Sequence, residues 1–330
     1  MPTRSTRLAA LVGVTAVVAT ACGSGSSDEV AASSTVPTAS TSSAPTTTAA
    51  PSTTAAPATT TTLPPGPMLA LSFDGLEPLG DSAEYEGWLI VDGEAISTGR
   101  FDVADGGLVD DEGNAVDSFA ITNDAATAVV ITIEPEDDPD PAPSAVHILA
   151  GDLVDGAAEL TVGHPAAIGT DFAGAAGSFL LGTPTNGNGN DELSGVWFLS
   201  IPGSVPSLDL PELPAGWVYE GWAVIDGQPV TTGRFTDPTM ADDFDGFSGD
   251  QGGPNTPGED FIVNPPDGLA FPTSLIGSTI VISVEPDPDN SPAPFTLKPL
   301  VATVAEGTAD HVNLPFSAGP PAPTGAATIG

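Results

Sequence analysis

From residue 68 onward, apolar residues arrive in short runs rich in Val, Ile, Thr, Tyr and Trp, and Pro or Gly interrupts them about every ten residues. No stretch after the first twenty residues sustains the three-to-four-residue apolar spacing of an amphipathic helix. WLIVDGEAIS (88–97) and WAVIDGQPVT (222–231) each place two β-rich arms around an Asp-Gly pair, Asp92-Gly93 and Asp226-Gly227. That dipeptide tolerates the left-handed backbone of a tight hairpin turn. AVVITIE (128–134) and TIVISVE (279–285) read as buried strands. AAGSFLLGTP (175–184) and SGVWFLSIP (194–202) read as a further pair. Short, evenly spaced strands with turn signals predict an all-β sandwich.

The same pattern occurs twice. YEGWLIVDGEAISTGRF (85–101) and YEGWAVIDGQPVTTGRF (219–235) match at a constant offset of 134, and a second block matches at an offset of 151. In that block Glu134-Pro135 and Pro141-Ala142-Pro143 answer Glu285-Pro286 and Pro292-Ala293-Pro294. The second copy therefore carries seventeen extra residues between the blocks, in an acidic, Gly/Pro-rich stretch after Phe235. The expected organisation is repeat 1 at 67–165, a connection and first strand of the second unit at 166–195, repeat 2 at 196–316, and a flexible tail at 317–330.

Ahead of the repeats the pattern changes. Arg4 and Arg7 precede an uncharged apolar run, Leu8 to Ala21, that ends in small residues before Cys22. A basic start, a short apolar run and a small-residue cleavage site form a secretory signal, here 1–21. Fourteen residues fall short of the ~20 needed to span a bilayer as a helix. Ala19-Thr20-Ala21-Cys22 resembles a bacterial lipobox, which implies a lipid on Cys22 as the membrane attachment on the extracytoplasmic face. An ordinary signal peptide that happens to contain a cysteine is the alternative. Residues 22–66 are nearly all Gly, Ser, Thr, Ala and Pro, with too little to bury to offset the entropy of ordering. They are expected to be a disordered stalk. Cys22 is the only cysteine, so the folded part has no internal disulfide.

Charge narrows the partners. The formal net charge is −39, and Arg100, Arg234 and Lys298 are the only cations beyond the signal. So acidic a chain repels phosphate backbones and anionic headgroups, which excludes nucleic-acid binding and polybasic membrane docking. The expected partner is an extracytoplasmic protein or a glycan.

The Trp-containing hairpin with its Asp-Gly, the Gly-x-Phe, and the strand running into Glu-Pro and Pro-x-Pro together resemble a known family. In the first copy these are Trp88, Asp92-Gly93, Gly99, Phe101, Glu134-Pro135 and Pro141-Ala142-Pro143. In the second they are Trp222, Asp226-Gly227, Gly233, Phe235, Glu285-Pro286 and Ser291 to Pro294. The pattern is similar to the extracytoplasmic domain of anti-sigma-K-type anti-sigma factors. The resemblance implies two tandem immunoglobulin-like β-sandwiches outside the cytoplasm. Members of that family place a sigma-binding helical portion and a membrane helix before this domain. A signal and stalk stand there instead, so the domain is expected without the sigma-binding activity.

Catalytic chemistry finds little support. His147, His164 and His311 are scattered, with no zinc-ligand spacing and no marked serine nucleophile. The expectation is a non-enzymatic protein with no cofactor. Asn186 to Glu192 places oxygens on alternate residues, as calcium loops do, and turn chemistry accounts for the same pattern more simply. Arg100 and Arg234 occupy equivalent repeat positions in a chain almost without cations. Each is expected to meet a carboxylate of its own unit, with Glu134 and Glu285 as candidates.

Overall fold

The computed structural model describes residues 66–330, except 105, 111, 188, 289 and 290. The signal 1–21, Cys22 and nearly all of the stalk lie outside the described residues. What is described is all-β, and no helix in it is long and apolar enough to cross a membrane.

The first copy supplies β1 (Met68–Asp74), β2 (Ala83–Val91), β3 (Glu94–Ala104), β4 (Gly107–Val109), β5 (Phe119–Ala120), β6 (Ala128–Pro135), β7 (His147–Asp152) and β8 (Ala157–Thr161). Then come β9 (Ala176–Leu181), β10 (Gly195–Trp197), β11 (Leu199–Ser200), β12 (Val205–Pro206) and β13 (Leu208–Asp209). The second copy continues with β14 (Trp217–Ile225), β15 (Gln228–Phe235), β16 (Gly258–Asp260), β17 (Thr279–Pro286) and β18 (Leu300–Thr303). Three short strands follow: β19 (Leu314–Pro315), β20 (Ser317–Ala318) and β21 (Thr324–Ile329).

Turn chemistry sets the hairpins. Asp92 and Gly93 have φ of 52° and 85°, and Asp226 and Gly227 repeat those values. Two consecutive left-handed residues match the strand twist, so Val91 faces Glu94 and Ile225 faces Gln228 across two-residue loops. In both hairpins the register slips at the same place, after Gly87 and after Gly221. β6 and β17 are central strands, each covered on both faces, which is why their sequences are mostly apolar, with Thr132, Glu134, Ser283 and Glu285 as the buried polar exceptions.

One sheet has nine strands in the order β4-β3-β2-β6-β7-β8-β21-β1-β5. It curls until its ends meet: Phe101 of β3 stacks on Phe73 of β1 at 5.5 Å and lies 5.8 Å from Phe119 of β5. The second copy splits into β13-β9-β10-β16, with β19 on β9, and β15-β14-β17-β18-β20. Apolar side chains from all these sheets form one continuous core, which includes Tyr85, Ile131, Phe198, Tyr219 and Ile282.

Residues 317–330 are not a tail. β21 lies between β8 and β1 as an internal strand of the first-copy sheet. Its counterpart in the second copy is β9. Gly325 faces Phe73 and Thr324 faces Asp74, just as Gly177 faces Leu208 and Ala176 faces Asp209. On the other side Gly325 faces Leu160, and Gly177 accepts a hydrogen bond from Phe316 N at 3.0 Å. Each glycine lets a bulky neighbour lie flat on the backbone. A Cβ at 325 would sit 2.6 Å from the Phe73 ring, and one at 177 would sit 2.8 Å from Leu208. The second-copy unit therefore opens with its own strand, and the first-copy unit receives the equivalent strand from the far end of the sequence.

Candidate functional site

The residues shared by the two copies build matched hydrogen-bond chains. Trp88 donates its indole N–H to Thr132 Oγ1 at 2.8 Å, and the Thr132 hydroxyl donates to Glu134. Glu134 in turn accepts the backbone N–H of Ser144 at 2.9 and 3.1 Å. In the second copy Trp222 donates to Ser283 at 2.8 Å, Ser283 donates to Glu285, and Glu285 accepts Phe295 N at 2.9 and 3.2 Å. Both glutamates are buried. They hold the loop carrying the Pro-Ala-Pro run, and a buried acid so engaged has a structural task.

The arginines do not pair with those glutamates. Arg100 meets Glu86 at 3.1 Å and Glu84 at 4.0 Å, and also donates to the carbonyls of Pro135 and Glu136. Partial burial works against its charge, but the bond to Glu86 and the fields of Glu86 and Glu84 outweigh that and raise its pKa. Arg234 meets Asp243 at 3.1 Å and Asp287 at 4.0 Å. The reason is register: Glu86 stands directly opposite Arg100, whereas Glu134 faces Glu84 one strand further in. In the second copy the inserted loop brings Asp243 over Arg234.

That insertion is where the copies part. After Phe235 the chain leaves the β15-β14 sheet and joins the other sheet beside β10 as β16, and three carboxylates fasten the loop to the sandwich. Asp242 accepts Gly258 N at 2.7 Å and Phe244 N at 3.0 Å. It lies on the backbone of Gly233, where a Cβ would come within 2.4 Å of its carboxylate. Glu259 accepts Ser248 Oγ, Asp260 N at 2.8 Å and Phe247 N at 3.3 Å. Asp260 accepts Trp197 Nε1 at 2.7 Å and Thr185 N at 2.8 Å, while Thr185 Oγ1 accepts Gly249 N at 2.7 Å. Burial pushes the Asp242 and Glu259 carboxyls up to about 7, against the pull of those donors. Burial also raises Asp260.

The loop encloses space. A cleft of about 470 Å³ opens between Trp197, Asp242, Asp245, Gln251 and Thr256. A second, of about 480 Å³, lies on the other side of Asp242 and Asp243 against Arg234, Phe235 and Met240. Both exceed the lower size of small-molecule sites. The acidic stretch looked like solvated surface in the sequence. Its one readable hint was that all seventeen extra residues fall in one place.

The other candidates stay apart. His147 Nδ1 lies 2.9 Å from the Ala166 carbonyl, His164 Nδ1 accepts Ala166 N, and His311 sits near Asp310 and Glu192. In the Asn186–Glu192 loop, Glu192 accepts Gly189 N at 2.6 Å and Thr183 N at 3.0 Å. Among the described residues no three His, Cys, Asp or Glu side chains converge as metal ligands, and Asn188 of this loop lies outside them.

No curated protein and no solved structure matches the chain. A family model described as the C-terminal part of the anti-sigma-K factor rskA matches residues 8–146. The matched range contains Trp88, Asp92-Gly93, Arg100, Glu134 and the Pro141–Pro143 run, the structural chain just described. Residues 8–146 of this protein are thus similar to the C-terminal part of anti-sigma-K factors.

Proposed function

We propose that this is a non-enzymatic binding protein displayed outside the cytoplasm. A lipid on Cys22 holds it to the membrane, residues 23–66 act as a stalk, and two tandem immunoglobulin-like sandwiches form the exposed body. The inserted loop of the second copy is its recognition surface. The observation that carries this reading is the engagement of the loop's buried carboxylates. Asp242, Glu259 and Asp260 each accept hydrogen bonds from the chain's own backbone or hydroxyls, so they shape a cleft rather than offer an acid and a base to a substrate. The equal registers of β9 and β21 support the tandem arrangement.

The test is to label cells with an alkyne fatty acid and treat intact cells with protease. The parent chain is expected to take up label and be cleaved from outside, and Cys22→Ala to lose the label and leave the membrane fraction. An unlabelled parent, or one shielded from protease, overturns the reading. The match over residues 8–146 favours a second reading, an extracytoplasmic sensor of the anti-sigma family acting through a membrane partner. Crosslinking on intact cells separates the two. A membrane signalling protein recovered with the parent chain, but not with one lacking residues 67–165, supports the sensor.

A further inference from the structure

Each copy is completed by a strand that follows the other copy in sequence. β9 comes directly after β8, and β21 comes after β19 and β20 of the second copy. Ala176–Gly182 and Thr324–Gly330 align at an offset of 148, so that Gly177 answers Gly325 and Gly182 answers Gly330. Both strands are thus the trailing strand of a repeat. Yet β9 pairs with β10 and β13 of the second copy, while β21 pairs with β8 and β1 of the first. The slot between β8 and β1 therefore takes its strand from outside its own repeat.

The two strands are held differently. β9 buries Phe179, Leu180 and Leu181, and these side chains fix it in place. In β21 only Ala327 is buried, and Thr324, Ala326 and Thr328 are exposed. What holds β21 is its ladder, six residue pairs with β1 and five with β8. Main-chain bonds select register, and side-chain fit selects the strand. Here that fit is a glycine against the Phe73 ring, which any chain of this sequence supplies. β21 of a second copy offers the slot the same ladder and the same fit.

The hinge governs the balance. Gly319 N donates to Pro299 O at 3.0 Å, and Pro323 is buried against Gly75. Between these anchors lie Pro320 and Pro321, both exposed, and Ala322. Neighbouring prolines fix φ near −65° and favour an extended segment. When such a segment leads to a neighbouring molecule instead of back to its own first copy, no ladder pair is lost. What then sets the equilibrium is the hinge itself and the entropy of association.

We propose that two copies of this chain exchange β21, each filling the slot between β8 and β1 of the other. The partner is a second copy of the chain, and the first-copy sheet is where the two are joined.

A split cysteine pair tests this. Ser72 and Ala326 face each other across the β1–β21 ladder, and both are exposed. Facing Cα atoms in such a ladder stand about 4.5–5.5 Å apart, within disulfide reach. One full-length chain carries Ser72→Cys and another carries Ala326→Cys, both with Cys22→Ala so that no other thiol reacts. The two are mixed at high concentration, incubated and oxidised, and the products are separated without reductant. The control replaces the Ala326→Cys chain with one carrying Val205→Cys, at an exposed position of the second copy. The Ser72–Ala326 mixture is expected to give at least about tenfold more disulfide-linked dimer than the control, because inserted strands hold the thiols together. Adding Gly325→Val to the Ala326→Cys chain should bring the yield down to the control, since its Cβ meets the Phe73 ring of the acceptor. A yield no higher than the control overturns the proposal. So does a high yield that Gly325→Val leaves unchanged, because the chains would then touch without inserting a strand.

Discussion

Met68 and Gly330 exchange two main-chain hydrogen bonds, Met68 N to Gly330 O at 2.9 Å and Gly330 N to Met68 O at 3.0 Å. The start of β1 is thereby pinned to residue 330, and six further residue pairs continue the zip down β1 and β21. Because β21 also pairs with β8, it is an interior strand. Without it the first-copy sheet would be left with two open edges.

Deleting residues 324–330 is therefore expected to act on the first copy. Ala327 is buried there, and the backbone groups of β1 and β8 would lose their partners. Hydrogen exchange should show fast amides in β1 and β8, while β14 and β17 remain protected. Uniform protection across both copies would refute the closing role of β21. Gly325→Val should give a milder form of the same pattern, because its Cβ meets the Phe73 ring.

The matched Trp–hydroxyl–Glu chains make a paired prediction. Glu134→Ala leaves the Ser144 N–H and the Thr132 hydroxyl without their acceptor in a buried setting. It should cost about 2–3 kcal/mol in denaturant unfolding, and Glu285→Ala should cost a similar amount. A loss in one copy and none in the other would mean that the two chains do different work.

The arginines are expected to differ. Arg100→Glu places a third carboxylate beside Glu86 and Glu84, both largely buried, and should destabilise by about 2 kcal/mol or more. Arg234 is more exposed, and its partners Asp243 and Asp287 have side chains 51% and 60% exposed. Arg234→Glu should cost less than about 1 kcal/mol. Thermal denaturation of the two variants side by side decides this.

The acids under the loop give a pH dependence with a definite sign. Asp242 and Glu259 titrate near 7 in the folded protein and near the ordinary carboxylate value of about 4 when unfolded. Between those values the folded state holds more protons, so stability falls as pH rises from about 4 to about 7, and then levels off. The protection of residues 236–258 against hydrogen exchange, taken relative to the intrinsic rate at each pH, should fall across that window, and Glu259→Gln should remove part of the slope. A loss of protection confined to pH above 8 would contradict the assignment.

Much of the architecture was legible along the chain. Asp92-Gly93 and Asp226-Gly227 announce hairpins because few residues accept two consecutive left-handed positions. β6 and β17 announce themselves because strands covered on both faces are largely apolar. The duplication was equally plain. Local chemistry suffices for all three. β21 was hidden, because TGAATI has small residues that lie under Phe73 and alongside Leu160 rather than a hydrophobic run of its own. The partners of Arg100 and Arg234 were hidden as well, since a salt bridge is chosen by strand register and by where a loop lands. The burial of Asp242, Glu259 and Asp260 was the least visible of all. An acidic run carries the same composition whether it faces water or is folded inward onto its own backbone N–H groups, and only the tertiary structure distinguishes the two.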